Sequence, residues 1–337
     1  MSTARVTLLS WLILAAPGVP AVAQSGRPGE DEGPTEVRIA VFVLDIDAID
    51  NVNQSFDANL FVMCRWRDPS LAHGGKGQIS FPLTAVWHPR MQIVNRQRMW
   101  MTFPDVVEVS PDGEVVYRQR GWGSFSQPLD LHDFPFDRQV FSIQLAAAGY
   151  TSEEVSLVPD PERASGIADK LSLPDWDIVN FAAETKPYNP QTGEEREGIA
   201  GFAISFEARR HHGYYVAKVI VPLVLIVAMS CVVFWIDPKE SATRISVSVT
   251  TMLTLIAYRF AVGMELPRVS YLTRLDYFIL LSTVLIFSTL LEVVTISALA
   301  RRGKLALAQK IDVWSRWVFP AAFLSVGLET LVLRIWL

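Results

Sequence analysis

The chain has 337 residues, half of them hydrophobic, with 30 basic against 35 acidic side chains and a formal net charge of −5. The acidic balance excludes nucleic acid as a natural partner, and a mean hydropathy of +0.25 excludes an ordinary soluble protein. With only two cysteines, Cys64 and Cys231, and no nucleophile motif, metal-ligand spacing or phosphate loop, neither a disulfide framework nor a cofactor-dependent enzyme is expected.

The charges crowd between Glu30 and Arg210, and long apolar runs follow Tyr214, a break that separates a soluble domain from a membrane domain. Residues 1–23 read as a signal peptide. Arg5 supplies the positive start, Leu8 to Ala16 is an apolar core too short to span a bilayer of ~30 Å, and Ala21-Val22-Ala23 is a small-x-small cleavage site. Residues 24–36, rich in Gly, Pro and acids, read as a disordered leader.

From 37 to 212 short runs with period-two alternation are separated by turn signals. Val37 to Val43 and Asn59 to Trp66 are two of them. Pro111-Asp112-Gly113 reads as a hairpin turn between Val106 to Val109 and Glu114 to Tyr117, and Gln139 to Leu145 and Gly201 to Ala208 read as later strands. Many short strands at this spacing predict an all-β, immunoglobulin-like sandwich.

From 213 to 337 the chain reads as four spanning helices, about 214–236, 241–264, 273–300 and 313–336. The second differs in texture. Ser246, Thr250, Leu253, Ala257 and Phe260 recur at steps of four, three, four and three, and so share one helical face. That face is hydroxylic at one end and apolar from Leu253 onward. It suits either a water-facing pore lining with a hydrophobic constriction or a buried helix whose hydroxyls bond back to their own carbonyls. A cleaved signal and four spans put both termini outside. The loop from about Arg301 to Asp312 is then cytoplasmic, and it carries Arg301, Arg302, Lys304 and Lys310.

Trp87-x-Pro89, the run Asp130 to Gln139, Trp176-Asp177, Arg210 ahead of the first membrane helix and Leu266 to Tyr271 after the second, taken in order, resemble the motifs of the pentameric ligand-gated channels (the Cys-loop receptor superfamily). Asp130-Leu131-His132-Asp133-Phe134-Pro135-Phe136-Asp137-Arg138-Gln139 is similar to the family's signature loop, with Gln127 and Phe141 where animal members carry flanking cysteines. Trp87-x-Pro89 with Asn95, Trp176-Asp177, Arg210 ahead of the first membrane helix, Pro222 within it and Leu266 to Tyr271 after the second are further matches, with Arg90 in place of a usual acid. The segment from Thr250 to Phe260 and the short third loop resemble the bacterial amine-gated (ELIC-type) branch.

The resemblance implies a homopentamer in the lipid bilayer of a prokaryotic inner membrane, with the N-terminal domain periplasmic and inorganic ions passing along the axis. Each second helix contributes Ser246, Thr250, Leu253, Ala257 and Phe260 to rings, with Leu253 as closed gate and Phe260 as a second constriction. Glu240, Arg244 and Glu265 are the charged candidates for ion selectivity, and the reading leans to cations over anions. Asp50, Phe134, Pro135, Phe136, Asp137, Arg210 and Pro267 are the candidates for coupling, with Asp137 and Arg210 as a buried pair. The loop Asp50 to Phe56 is expected to meet the linker Leu266 to Tyr271. The small-molecule agonist site lies between subunits, with Phe61, Trp122, Phe125, Tyr150 and Tyr188 as candidates. An amine held by cation–π attraction is one agonist. A proton, acting through His73, His88, His132, His211, His212, Glu184, Glu194 or Glu195, is another. A non-conducting membrane sensor on the same fold is the alternative function.

Overall fold

The computed structural model describes residues 26–190, 198–237, 239–263, 266 and 269–333. The expected signal segment, Glu194, Glu195, Glu265 and Pro267 lie outside them. The extracytoplasmic half is a sandwich of two sheets. The larger contains β1 (Thr35–Asp50), β2 (Ser55–Arg67), β3 (Ile79–Pro82), β5 (Arg96–Met101), β6 (Val106–Val109), β7 (Glu114–Ser126), β9 (Val155–Pro159) and β10 (Gly166–Ile167). Its path runs β10-β1-β2-β7-β6-β3, with β5 also on β7 and β9 also on β1. The smaller, in the order β11-β12-β8-β4, contains β4 (Met91–Ile93), β8 (Arg138–Thr151), β11 (Trp176–Thr185) and β12 (Ile199–Arg210).

Alternation along the strands builds the core. On β2, Phe56, Ala58, Leu60, Cys64 and Trp66 point inward and are buried. Near the membrane end Phe56, Phe125, Phe141 and Phe206 form one aromatic cluster. Phe56 lies 5.2–5.8 Å from each of the other three rings, and Phe141 stacks on Phe206 at 5.2 Å. Gly113 makes the β6–β7 hairpin possible. Its φ of +81° is left-handed, and a Cβ there would sit 2.5 Å from the Asp68 carbonyl oxygen.

Four helices follow that are long and apolar enough to cross a membrane: α1 (Gly213–Trp235), α2 (Ser241–Val262), α3 (Arg274–Arg301) and α4 (Leu305–Leu333). In α1 a π-helical stretch, Val216–Ile220, precedes Pro222, whose ring nitrogen cannot donate to the preceding turn. A capping box opens α3: Thr273 and Asp276 each bond the other's backbone N–H.

The fourth helix corrects the expected boundary. It starts at Leu305, not 313, and the loop before it shrinks to residues 302–304. Hydropathy marks only the apolar part of a helix. Ala306-Leu307-Ala308-Gln309-Lys310 is a run of strong helix formers, and Gly303, at φ +77°, makes the tight turn that lets α4 begin so early.

Candidate functional site

Two regions carry the sequence-derived candidates: the junction between sandwich and helices, and the exposed face of α2. At the junction the chemistry is concentrated on residues 127–137. Asp137 and Arg210 are almost fully buried, at 1 % and 4 % exposure. Arg210 Nε donates to Asp137 Oδ1 at 2.7 Å and Nη2 to Oδ2 at 3.1 Å, a two-pronged pair. Gln139 Nε2 donates to the same carboxylate at 2.8 Å. The guanidinium lies over Trp176 at 4.1 Å and over Phe134 at 5.0 Å. Its Nη2 also reaches Asn51 Oδ1 at 3.1 Å, which ties in the β1–β2 loop. A buried ion pair persists when its remaining lone pairs and protons are satisfied, and this arrangement supplies those partners.

The signature loop grips the helices through separate contacts. Phe134, fully buried beside a cis Phe134–Pro135 bond, meets the Tyr215 ring edge-on at 4.7 Å. Phe136 lies 5.1 Å from His212. Tyr271 stacks on His132 at 4.0 Å, and its hydroxyl oxygen accepts from Leu131 N–H at 2.9 Å. Asp130 accepts from the His132 side chain and backbone, which holds its carboxyl below the ordinary range.

Arg274, at the start of α3, was not singled out from the sequence. Its backbone N–H donates to His132 O at 2.9 Å. Its Nε donates to Thr330 O at 2.9 Å, Nη1 lies 3.4 Å from Asp133, and the guanidinium sits 5.6 Å from the Phe136 ring.

The β1–β2 loop and the α2–α3 linker were expected to meet, and much of that linker, residues 267 and 268 included, lies outside the described residues. Each of the two bonds the segment at residues 129–131. Gln54 takes the Leu129 N–H at 2.6 Å, while Tyr271 takes that of Leu131. Asp50 stays within its own loop, accepting from the N–H groups of Val52 and Asn53. These bonds, the Asn53 one foremost, lower its pKa.

On α2, Ser246, Thr250, Leu253, Ala257 and Phe260 are all exposed, Leu253 at 62 % and Phe260 at 77 %. Arg244, Ser248, Thr251, Leu255 and Val262 are buried on the opposite side. The Thr250 hydroxyl donates back to the Ser246 carbonyl at 2.9 Å, and the residue remains exposed. The Thr250 hydroxyl thus bonds back to its own helix on a face that is exposed, not buried.

Glu240 is exposed at the N-cap. Arg244 is not: it is 0 % exposed and paired with Asp312 of α4. Arg244 therefore does not share the exposed face of α2. The physical reason is its position on the buried stripe, opposite an acid the sequence placed in a loop.

The five aromatic ligand candidates separate. Phe61 and Trp122 share the outer face of the large sheet. Phe61 meets Phe103 edge-on at 6.4 Å, and Trp122 stacks on Trp100 at 4.8 Å and donates from Nε1 to Asp47 at 2.7 Å. Tyr150, at the end of β8, takes the Trp87 Nε1–H at 3.0 Å with Arg90 5.9 Å from its ring. Tyr188 pairs by a single bridge with Ile199. Among the described residues, no ring contact joins Phe61 or Trp122 on the large sheet to Tyr150 or Tyr188 beside the small one.

Phe125 is a correction. It is fully buried in the aromatic cluster, because it sits on β7 in the same phase as Gln119, Gly121 and Gly123, which face inward. Phe125→Ala is expected to lower stability by about 3–5 kcal/mol in denaturant unfolding. A variant of unchanged stability with altered agonist potency would return Phe125 to the ligand site.

Residues 23–211 match the neurotransmitter-gated ion-channel ligand binding domain, and residues 219–306 match the neurotransmitter-gated ion-channel transmembrane region. Among relatives, a gamma-aminobutyric acid receptor subunit beta of Lymnaea stagnalis is 26% identical over 288 residues, covering 79% of this chain and 56% of the relative. A gamma-aminobutyric acid receptor subunit beta-like protein of Drosophila melanogaster is 28% identical, covering 79% and 57%. The chain thus spans just over half the length of the curated relatives it matches. With the sandwich, the four helices and both domain matches together, the chain belongs to the neurotransmitter-gated ion-channel family, whose members are channels and not enzymes.

Proposed function

We propose that the chain is one subunit of a homopentameric ligand-gated ion channel, with the exposed stripe of α2 lining a central pore. The observation that carries this is the division of α2. One face packs against its own subunit, and the other holds Ser246, Thr250, Leu253, Ala257 and Phe260 free. Repeated around an axis, Ser246 and Thr250 form hydroxyl rings that replace part of an ion's hydration, and Leu253 and Phe260 form apolar constrictions that gate by dewetting.

The ions are cations in this reading. Glu240 is exposed at the inner end, whereas Arg244 is withdrawn; an acidic ring attracts cations electrostatically. The agonist is a small amine, lodged where Tyr150 and Tyr188 of one subunit approach Phe61 and Trp122 of the next, so that aromatic faces surround the ammonium. The relatives are named for gamma-aminobutyric acid, itself a primary amine with a carboxylate. The agonist's pull reaches the pore through residues 127–137, Arg210 and the linker that ends at Tyr271. The three-residue α3–α4 turn and the cysteine-free signature loop support a place in the bacterial branch, hence in an inner membrane with the sandwich in the periplasm.

Planar-bilayer recording in asymmetric salt, with primary amines, gamma-aminobutyric acid and pH steps, tests this. Reversible current reversing near the cation equilibrium potential is expected. Reversal near the anion potential would overturn the ion sign and its assignment to Glu240. Silence from protein shown to be pentameric would favour a non-conducting sensor on the same fold.

A further inference from the structure

The inner end of the helix bundle holds a charged cluster that the gating route above does not use. Arg244, in the first turn of α2, is wholly enclosed by its own subunit, so its burial does not depend on any neighbour. Its Nη2 pairs with Asp312 Oδ1, while Nε and Nη1 have no hydrogen-bond partner among the described residues. Asp312, 1 % exposed, is fixed from its other side. Arg316, one turn on along α4, donates from Nη2 to Asp312 Oδ2 at 3.0 Å and from Nε to the Phe234 carbonyl of α1 at 2.8 Å. Glu292 of α3, beside Ser315, adds a second carboxylate within the field of Arg244. Carboxylates of α3 and α4 thus face one guanidinium of α2, and Arg316 ties the cluster to α1.

A desolvated guanidinium stays inside only while a carboxylate is bonded to it, since an unpaired buried charge is strongly disfavoured, and among the described residues Asp312 is the carboxylate bonded to Arg244 while Glu292 stands near without a bond to it. Arg244 lies one turn from exposed Glu240, whose carbonyl accepts its N–H at 3.1 Å, and two residues before Ser246 of the exposed stripe. A released arginine has the length to extend along apolar surface and place its head in water at that mouth.

We propose that Asp312 is a selectivity-determining positioning residue: it holds Arg244 inside the bundle and so withdraws a ring of positive charge from the inner mouth of the pore. The proposal rests on the channel reading, and it extends that reading to a residue outside the conducting path. The charge that ions meet at the inner mouth is then set by α4, the helix farthest in sequence from α2, as well as by α2 itself.

The test combines recording with a readout that needs no current. Asp312→Asn is expected to reduce cation conductance about tenfold and to move the reversal potential toward that of anions, as a ring of like charge does. Asp312→Glu should stay near wild type. The double variant Arg244→Gln/Asp312→Asn should return selectivity to wild type, because no freed charge remains; a merely structural role for Asp312 would leave the double variant as impaired as the single one. Arg244→Gln alone should fold and keep wild-type selectivity, and it decides the matter even where Asp312→Asn fails to fold. A shift toward cations in Arg244→Gln would show that Arg244 already faces the path and would overturn the proposal.

In parallel, phenylglyoxal labelling of the purified full-length protein, read by mass spectrometry, should modify Arg244 about tenfold faster in Asp312→Asn than in wild type. Equal labelling would overturn the proposal. Faster labelling in Asp312→Asn, when the wild-type protein carries no current, would keep the clasp and refute the channel.

Discussion

Asp137→Ala is expected to abolish agonist-evoked current and to lower the stability of the protein by about 3–5 kcal/mol, because it strands a buried guanidinium. Arg210 would keep its contacts with Trp176, Phe134 and Asn51, but none of them carries a countercharge. Gln139 would lose an acceptor at the same moment. Asp137→Asn should fall between the two, since an amide oxygen preserves a hydrogen bond and not the charge. Thermal unfolding and the agonist dose response check the two effects separately. An unchanged melting point together with a normal dose response would refute any structural or coupling role for the pair. Lost current at normal stability would assign it to coupling alone.

The second large effect belongs to Leu253. Leu253→Ser should shift the agonist dose response to concentrations at least about tenfold lower and produce current without agonist. A tenfold shift corresponds to about 1.4 kcal/mol. One leucine side chain gains about 1.5–3 kcal/mol on leaving water, and a symmetric ring changes five of them, so the hydroxyl need wet the constriction only partly. Ala257→Ser, on the same face but smaller to begin with, should act in the same direction and less. Should Leu253→Ser leave the dose response and the resting current untouched, the closed gate lies elsewhere on α2, with Phe260 next in line.

Much of this architecture is legible in the sequence because its signals are local. Period-two alternation in Asn59 to Trp66 marks β2, and the turn residues Pro111-Asp112-Gly113 mark the β6–β7 hairpin. The step pattern from Ser246 to Phe260 marks a face that is exposed in the fold. Asp137 and Arg210 were paired through family resemblance, for their separation of 73 residues carries no local trace.

The misplaced candidates share one cause, a long-range partner. Arg244 is resolved by Asp312, 68 residues away, on a turn of helix that hydropathy assigned to a loop. A signal did exist: Arg244, Ser248, Thr251, Leu255 and Val262 also recur at helical spacing, so the arginine belongs to a second, inward stripe. Phe125 carried a similar warning, since it shares the phase of Gln119 and the inward glycines of β7. Arg274 gave none, because its partners come from two distant segments.

Arg274 joins the signature loop to the Thr330 carbonyl near the outer end of α4, the helix with the least of its surface covered by protein. Along its lipid-facing side stand Trp314, Trp317 and Leu324, each more than half exposed. At 29 residues α4 is about 43 Å long, longer than the ~30 Å hydrocarbon layer, and it must tilt or reach past that layer to fit. The last helix thus has one long stretch set for the bilayer and one backbone carbonyl tied, through Arg274 of α3, to the signature loop. A thinner or thicker membrane changes its tilt, and Arg274 ties that helix to the loop at Asp133 and Phe136.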